Sequence, residues 1–290
     1  AARNICPAFE FAQGLEGDDE AIHRQVEKGK KRFVGFELPG RTLGVIGLGA
    51  IGVKVANAAV KLGMKVLGYD PKITVERAWQ LSSEVEQATG VDDLLTRADM
   101  VSFHVPLTET TRHLINRERL RLMKPEAVIL NFARAEIVDD EAVVDALEAD
   151  RLRAYVCDFP SNALKRTPKA IALPHIGAST KEAEDNCAIM VVDEVRDYLE
   201  NGNVHHSVNF PEVRMPRIHE YRIAVVNDNI PKMLGRITDI IGDAGVNIID
   251  MHNDSRGSLA YTLADIDKPL PPEAVEKLQS IQGVRKVRTL

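Results

Sequence analysis

Short apolar runs alternate with segments of helical periodicity through the first half of the chain. Apolar runs at residues 43–47, 65–69, 100–103, 127–131 and 154–157 predict buried strands. The segments 53–62, 91–98, 116–122 and 140–150 that lie between them predict helices. Strands that alternate with helices form parallel sheets with right-handed crossovers. The pattern therefore predicts an α/β fold built on a doubly wound parallel sheet.

A glycine-rich turn joins the first predicted strand to the first predicted helix. Its pattern is Gly47-x-Gly49-x-x-Gly52, with Ala50 and Ile51 between the last two glycines. In such a turn the first glycine permits a tight bend, the second lets a pyrophosphate approach bare backbone, and the third lets the helix pack closely on the strand. The first helical turn also offers free N–H groups to phosphate oxygens. These five residues predict a Rossmann-type dinucleotide site.

Asp70 ends the second predicted strand, about 20 residues after the glycines. A carboxylate at this position accepts hydrogen bonds from both hydroxyls of an adenine ribose and repels a 2′-phosphate. The sequence therefore predicts NAD rather than NADP as the cofactor. The alternative interpretation is an ordinary glycine-tolerant turn that binds no ligand.

Residues 218–290 carry a second pattern, which follows a proline-punctuated segment. Strands are predicted at 221–226, 246–251, 259–266 and 284–290, and helices at 232–244 and 271–281. The order βαββαβ is that of the ferredoxin-like class. Exposed edge strands in such a unit favour pairing with a second copy.

Two further segments complete the predicted organisation of the chain. Residues 1–34 alternate polar and apolar positions at helical spacing, and residues 35–178 hold the dinucleotide pattern. Ser179 and Glu182 form a capping box, which predicts the start of a helix that ends near Gly202. A linker follows, so the predicted divisions are 1–34, 35–178, 179–217 and 218–290.

Composition and charge exclude several classes of function. The formal net charge of −6 argues against a surface that binds nucleic acid or an anionic membrane. No apolar run is long enough to span a bilayer. The 3 cysteines are scattered, and no His, Cys and acidic residues stand at metal-ligand spacing. The sequence therefore predicts a cytoplasmic protein with no metal site.

Two basic residues follow predicted strands of the nucleotide-binding half. Arg134 comes after the strand at 127–131, and His175 comes after the apolar segment 171–174. A guanidinium binds a carboxylate bidentately, and an imidazole exchanges a hydroxyl proton near neutral pH. Together they suit hydride transfer between NAD and a 2-hydroxy acid. Taken singly, each also fits a structural role, because surface ion pairs and structural histidines are common.

The segments NFARAEIVD at 131–139 and PHIGAST at 174–180, together with the glycine turn and Asp70, resemble the D-isomer-specific 2-hydroxyacid dehydrogenases. The segment GVNI at 245–248 makes the βαββαβ unit similar to an ACT domain. The resemblance implies an NAD-dependent oxidoreductase in which Arg134 anchors the substrate carboxylate and carbonyl and His175 acts as the acid and base. It also implies cofactor contacts from Val105, Pro106, Ala133, Asp158 and Gly177, with Asp158 near the nicotinamide carboxamide.

Three departures from the family pattern carry expectations of their own. The family places a glutamate before the histidine, but here no acidic residue stands between 159 and 174, Asn162 lies nearest its place, and Asp158 is the remaining acid. The family's substrate domain, on the order of 100 residues, is represented here at most by a remnant within residues 1–34. In the ACT-like unit, Lys232 stands where a glycine is usual, and the expected effector contacts are Asn227, Asn229 and Asn247.

The resemblance implies oxidation of 3-phospho-D-glycerate to 3-phosphohydroxypyruvate, because an ACT unit indicates amino-acid metabolism and here L-serine biosynthesis. One alternative is another D-2-hydroxyacid dehydrogenase, which acts on glycerate, lactate or glyoxylate. The other is an NAD-sensing binding protein with little catalysis. The expected partners are L-serine as effector and a second copy of the chain, in a homodimer or homotetramer. For the ACT-like unit, the alternative to serine binding is a dimerisation module.

Overall fold

The computed structural model describes all residues from Ala1 to Leu290. The chain divides into two compact units, an N-terminal unit of Ala1–Gly177 and a C-terminal unit of Ala178–Leu290. No helix in either unit combines the length and the apolar character that a membrane crossing requires.

The N-terminal unit is built on one parallel sheet with helices on both faces. Its strands lie in the order β3-β2-β1-β4-β5-β6-β7, and every neighbouring pair is parallel. This confirms the predicted doubly wound α/β fold. The strands are β1 (Thr42–Ile46), β2 (Lys65–Tyr69), β3 (Val85–Gln87), β4 (Met100–Phe103), β5 (Ala127–Asn131), β6 (Leu152–Cys157) and β7 (Ala170–Ala172). The helices are α1 (Ile5–Gln13), α2 (Asp19–Gly29), α3 (Ala50–Lys61), α4 (Val75–Gln80), α5 (Val91–Arg97), α6 (Arg117–Leu122) and α7 (Asp140–Glu148).

The central strands are buried on both faces, which is why they read as continuous apolar runs rather than alternating ones. One face of the sheet packs a core that includes Phe103, Ile129 and Leu94. The opposite face packs a second core that includes Val45 and Val128. Parallel sheets are covered by helices on both faces, and the helices of this unit pack against the sheet through these two cores.

Some element boundaries differ from the predicted ones for local reasons. The edge strand β3 and the short helix α4 were not predicted, because both are exposed and carry no apolar run. The helix α3 begins at Ala50 rather than at 53, since Gly49 already serves as its N-cap. The strand β6 begins at Leu152 rather than at 154.

The C-terminal unit starts with a long helix and continues as an α/β sandwich. The helix α8 (Lys181–Asn201) precedes β8 (Tyr221–Asp228), α9 (Met233–Asp243), β9 (Ile248–Arg256), β10 (Leu259–Ile266), α10 (Pro272–Ser280) and β11 (Val284–Thr289). The four strands form an antiparallel sheet in the order β11-β8-β10-β9. This confirms the predicted βαββαβ order of an ACT-like unit. A core that includes Ile223, Ile237 and Leu278 lies between the sheet and the two later helices.

The start of α8 corrects the predicted capping box. Thr180, not Ser179, is the N-cap, and its hydroxyl accepts a hydrogen bond from the N–H of Ala183 at 3.1 Å. An N-cap residue needs extended backbone and a donor three residues later, and Thr180 meets both conditions. Glu182 therefore lies one position too early to complete a capping box with the true N-cap.

Candidate functional site

The glycine turn between β1 and α3 has a conformation that only glycine adopts without strain. Gly47 has φ of +92°, and a Cβ on it would lie 2.6 Å from the carbonyl oxygen of His104. A Cβ on Gly52 would lie 1.9 Å from the carbonyl oxygen of Gly47. Both contacts are with backbone, so a side chain at either position would displace the turn from the sheet edge.

The same turn leaves room for a phosphate group. A Cβ on Gly49 would meet nothing within 4 Å, and no side chain caps the start of α3. The first N–H groups of this helix are therefore available to an anion at the positive end of the helix dipole. These residues fit the pyrophosphate of a dinucleotide. Ala50 and Ile51 form the first turn of α3, and the side chain of Ile51 is exposed.

Asp70 and the residues after β4 lie beside the glycine turn. The carboxylate of Asp70 accepts hydrogen bonds from the backbone N–H groups of Leu48 and Lys72, both at 2.8 Å. Val105 and Pro106 follow β4, and the Val105 side chain would be 2.8 Å from a Cβ on Gly47. The predicted cofactor residues from β1, β2 and β4 thus share one edge of the sheet.

Arg134 lies in a turn that follows β5 and is braced by Asn131. The Asn131 side chain accepts a hydrogen bond from the N–H of Ala133 at 3.3 Å and donates one to the carbonyl oxygen of Arg134 at 2.9 Å. The exposed guanidinium donates from Nη1 to the carbonyl oxygen of Ala133 at 2.7 Å. The backbone of the turn is therefore held in place, while the guanidinium lies at the surface.

His175 pairs with Asp158, 17 residues earlier in the chain. Nδ1 of His175 lies 2.7 Å from Oδ2 of Asp158, and the side chains are 56% and 7% exposed. The Phe159 ring stacks on the imidazole with a centroid distance of 4.6 Å. Asp158 therefore stands as the acidic partner of His175 in a chain that lacks the expected glutamate. The second oxygen of Asp158, Oδ1, is buried and has no hydrogen-bond partner.

Strand register brings the ends of β5, β6 and β7 to the same edge. Asn131 is paired with Cys157, and Cys157 with Ala172. Asp158 follows Cys157 directly, whereas Arg134 and His175 each come three residues after their strand's paired residue, and neighbouring strands are about 4.8 Å apart. Ligands of open α/β sheets collect at this carboxyl edge. Gly177, at the exposed end of the unit, follows His175 by two residues.

The sequence assigned no role to several residues near the site, although His104 ends a predicted strand at the carboxyl edge. Tyr155 is buried in β6, and its hydroxyl accepts a hydrogen bond from Asn131 at 3.2 Å. His104 follows β4 and lies 2.9 Å from the Ser102 hydroxyl through Nε2, and burial lowers the pKa of His104. Phe159 could have been noticed, since it follows Asp158 directly, but a lone aromatic residue does not indicate a stacking partner.

The three predicted effector residues do not meet within one chain. Asn229 bonds to the hairpin between β9 and β10, where its side chain donates to the carbonyl oxygen of Gly257 at 3.1 Å. Asn247 lies at the opposite end of that hairpin and exchanges hydrogen bonds with Asp267. Asn227 is buried; its amide donates to the carbonyl oxygen of Asp228 at 2.8 Å, and its Oδ1 has no hydrogen-bond partner.

Several relatives that carry the name D-3-phosphoglycerate dehydrogenase match nearly the whole chain. The D-3-phosphoglycerate dehydrogenase of Methanocaldococcus jannaschii is 36% identical over 274 residues, which is 92% of this chain and 49% of the relative. The enzyme of the same name from Haemophilus influenzae is 32% identical over 282 residues, which is 93% of this chain and 67% of the relative. The corresponding Escherichia coli K12 protein is 32% identical and is covered over 64% of its length. The chain thus spans about half to two thirds of the length of these relatives.

Solved structures and a family model each match more than half of the chain. The apo D-mandelate dehydrogenase of Rhodotorula graminis superposes with a TM-score of 0.58 at 27% identity, over 68% of this chain and 58% of that one. The apo D-lactate dehydrogenase of Escherichia coli gives 0.56 at 26% identity, over 69% and 60% of the two chains. Residues 8–177 match the NAD-binding domain of the D-isomer-specific 2-hydroxyacid dehydrogenases. The chain therefore belongs to the D-isomer-specific 2-hydroxyacid dehydrogenase family.

Proposed function

We propose that the chain carries the cofactor-binding, acid–base and regulatory parts of an NAD-dependent enzyme that oxidises 3-phospho-D-glycerate to 3-phosphohydroxypyruvate. The observation that carries the proposal is the His175–Asp158 pair at the carboxyl edge of the sheet, beside the Arg134 turn. The names of the relatives support the substrate, and the ACT-like unit supports a place in amino-acid metabolism.

The proton step follows from the hydrogen bond of His175. An ionised carboxylate only accepts hydrogen bonds, so Nδ1 of His175 must carry the proton that points to Asp158. In the neutral imidazole Nε2 is then the unprotonated nitrogen and accepts the hydroxyl proton of the substrate. The stacked ring of Phe159 limits rotation of the imidazole about its side-chain bonds. Asp158 and Phe159 thus orient the base before the substrate arrives.

Arg134 provides the anchor for the substrate carboxylate. Its guanidinium has a fork of N–H donors that matches a carboxylate in a bidentate pair. In the present structure Nη1 bonds to the carbonyl oxygen of Ala133, so binding exchanges this neutral acceptor for a charged one. A carboxylate adds a negative charge on the acceptor and accepts two parallel N–H bonds at once, and the exchange is therefore favourable.

When bound, NAD would supply the hydride acceptor of the reaction. Gly47, Gly49 and Gly52 leave the backbone open where a pyrophosphate would lie, and the N–H groups at the start of α3 would donate to it. Asp70 would accept from the ribose hydroxyls, and its backbone partners Leu48 and Lys72 keep the carboxylate at the glycine turn.

The experiment replaces His175 and a matched histidine in the other unit. His206 has the same exposed fraction, 56%, and a carboxylate partner, Glu194, at the same 2.7 Å. His175→Gln should reduce turnover of 3-phosphoglycerate by about 10²- to 10⁴-fold, because general acid–base catalysis contributes that much. NAD affinity, followed through the fluorescence of Trp79, should stay the same. His206→Gln should leave both quantities unchanged, and equal losses in the two variants would contradict the proposal.

A substrate panel separates this proposal from its neighbours within the family. Glycerate, lactate and mandelate are compared with 3-phosphoglycerate in oxidation with NAD, and glyoxylate is compared with 3-phosphohydroxypyruvate in reduction with NADH. Higher kcat/KM for one of them would replace the substrate and keep the mechanism. In a protein that also carries the family's substrate domain, saturable NAD binding without turnover of any member would favour an NAD-sensing protein instead.

The exposed edge strand β9 supports a regulatory dimer as part of the same proposal. Asn229 and Asn247 lie at opposite ends of β9, whose nine residues span roughly 30 Å. If β9 pairs antiparallel with β9 of a second copy, Asn229 of one chain comes beside Asn247 of its partner. Two amides then meet at each end of the interface, where they suit the ammonium and carboxylate groups of L-serine.

Calorimetry with L-serine and sedimentation test this regulatory part. A dimer should bind serine, and both Asn229→Ala and Asn247→Ala should abolish the heat, whereas Asn209→Ala in the linker should not. A monomeric protein, or serine binding that survives both substitutions, would contradict the arrangement. Dimerisation without serine heat would leave the unit as a dimerisation module.

A further inference from the structure

The Tyr155 hydroxyl is a buried polar group that the proposed chemistry does not use. The side chain lies in the core on one face of the sheet, with 1% of its surface exposed. Burial is the main reason why the pKa of Tyr155 is raised, and the nearby charges of Asp140 and Asp158 add to it, while the hydrogen bond from Asn131 opposes it. The phenol is therefore neutral at any working pH and acts as a hydrogen-bonding group.

Its hydrogen-bond partner is the residue that shapes the Arg134 turn. The Asn131 side chain spans this turn through its bonds with Ala133 and Arg134. Its third bond, from Nδ2 to Oη of Tyr155 at 3.2 Å, is the one that leaves the turn and reaches β6, 24 residues away in sequence. Asn131 is itself 2% exposed, so water does not replace a lost protein partner without rearrangement.

The strand β6 makes a second connection at its carboxyl end. Asp158 follows the last residue of β6, three residues after Tyr155, and its carboxylate is hydrogen-bonded to His175. One strand therefore contacts both chemical groups, the Arg134 turn through Tyr155 and the imidazole through Asp158. A shift of the Arg134 turn relative to β6 would change the distance between the guanidinium and the imidazole.

We propose that Tyr155 is a positioning residue, which acts through Asn131 to hold the Arg134 turn in register with the Asp158–His175 pair. The role in substrate binding rests on the proposed function, whereas the brace on the turn does not. Because Tyr155 has no contact with the reacting atoms, its removal should weaken carboxylate binding and leave the proton step intact.

The first measurement is independent of catalysis. In Tyr155→Phe, hydrogen exchange at the Ala133 amide, which bonds to Asn131, should accelerate by about two- to tenfold relative to the amides of β1, as expected for the loss of one hydrogen bond. The matched control is Tyr261→Phe, since Tyr261 is equally buried, lies in the C-terminal unit and donates to the carbonyl oxygen of Gly202 at 2.7 Å. The control should leave the Ala133 amide unchanged.

The second measurement separates positioning from general stability. Tyr155→Phe should raise KM for the hydroxy acid by about two- to tenfold while kcat and NAD affinity remain within about twofold. In an Asn131→Ala background the same substitution should have no further effect on KM, because Tyr155 acts through Asn131.

The outcomes distinguish this inference from the proposed function. Unchanged exchange at Ala133, or an effect of Tyr155→Phe that persists in the Asn131→Ala background, would overturn the inference. The inference would also be overturned if Tyr155→Phe and Tyr261→Phe raised KM equally and lowered thermal stability equally. Faster exchange at Ala133, together with no dehydrogenase turnover in a protein that also carries the substrate domain, would support the brace and refute the proposed function.

Discussion

Two charge pairs, one in each unit, show how differently the fold treats ionised side chains. In the C-terminal unit, Arg222 and Asp265 are almost completely buried and form a bidentate pair at 2.6 and 3.0 Å. The guanidinium makes three more hydrogen bonds, to the carbonyl oxygens of Asn201, Met215 and Pro216. Every direction in which Arg222 donates thus has an acceptor, and the linker before β8 is tied to the sheet.

The His175–Asp158 pair in the N-terminal unit is left incomplete. Its imidazole is more than half exposed, and one oxygen of its buried carboxylate has no partner. A saturated buried pair has no remaining capacity for a ligand, whereas the exposed nitrogen of His175 is available to one. The two pairs therefore differ in their unmet hydrogen bonds, although both consist of ionisable groups: Arg222–Asp265 has none left, and His175–Asp158 retains some.

The largest expected effect comes from breaking the saturated pair. Arg222→Met leaves Asp265 buried without a partner, and the free energy of unfolding should fall by about 3–5 kcal/mol. Circular dichroism during urea unfolding measures it. Arg196→Met is the control, since Arg196 is exposed and its ion pair with Asp193, one helical turn away, is long at 3.9 Å. This substitution should lower the free energy of unfolding by less than about 0.5 kcal/mol.

A double variant sharpens the same test. Arg222→Met with Asp265→Leu removes both charges, and its stability should recover most of the loss. A double variant as unstable as Arg222→Met alone would show that the backbone hydrogen bonds of Arg222, not the buried charge of Asp265, dominate.

The incomplete pair should respond in activity rather than in stability. In Asp158→Asn, the amide can donate as well as accept, so it no longer requires the proton of His175 to lie on Nδ1. Turnover should fall at least about tenfold, because a base that is no longer held in one tautomer loses a part of its catalytic contribution. The free energy of unfolding should not fall, because the substitution removes a buried charge whose Oδ1 has no partner.

Asp265→Asn is the matched substitution in the saturated pair and should do the opposite. It removes the charge that the buried Arg222 requires, so stability should fall with no direct effect on NAD binding. If both asparagine variants lost stability equally, the distinction between the two pairs would be wrong.

A smaller effect is expected at the start of α8. Thr180→Ala removes the side-chain acceptor for the Ala183 amide and should cost about 1 kcal/mol in unfolding. Ser179→Ala, one residue earlier, should cost little, because the Ser179 hydroxyl makes no cap hydrogen bond. Thermal unfolding of the two variants side by side measures the difference, and the reverse order would restore the predicted capping box.

The smallest expected effect concerns the two tight turns that precede α3 and α9. Gly47 has φ of +92° and Lys232 φ of +67°, but only the glycine adopts this region without strain. Lys232→Gly should therefore stabilise the C-terminal unit by about 0.5–1 kcal/mol. Lys277→Gly, in the last turn of α10, should instead destabilise by about 1 kcal/mol, and a loss of stability in both variants would contradict this account.

Local patterns predicted most of the fold, because each element carries its own periodicity. The buried strands β1, β2, β4 and β5 were visible as apolar runs, and the alternation of strands with helices implied the parallel sheet. The exposed elements β3 and α4 were missed, since neither buries an apolar face that would leave a pattern. The cap of α8 was misplaced by one residue, since both Ser179 and Thr180 carry a suitable hydroxyl and only the backbone angles choose between them.

By itself, the sequence determined the glycine turn, the acidic end of β2 and the positions of Arg134 and His175 after apolar strands, because each is a short-range feature of the chain. The tertiary structure alone decided which side chains meet there. The partner of His175 is 17 residues away and that of Tyr155 is 24 residues away. Such contacts depend on the order and register of β5, β6 and β7, which set the neighbours of each strand end but leave no trace in local periodicity.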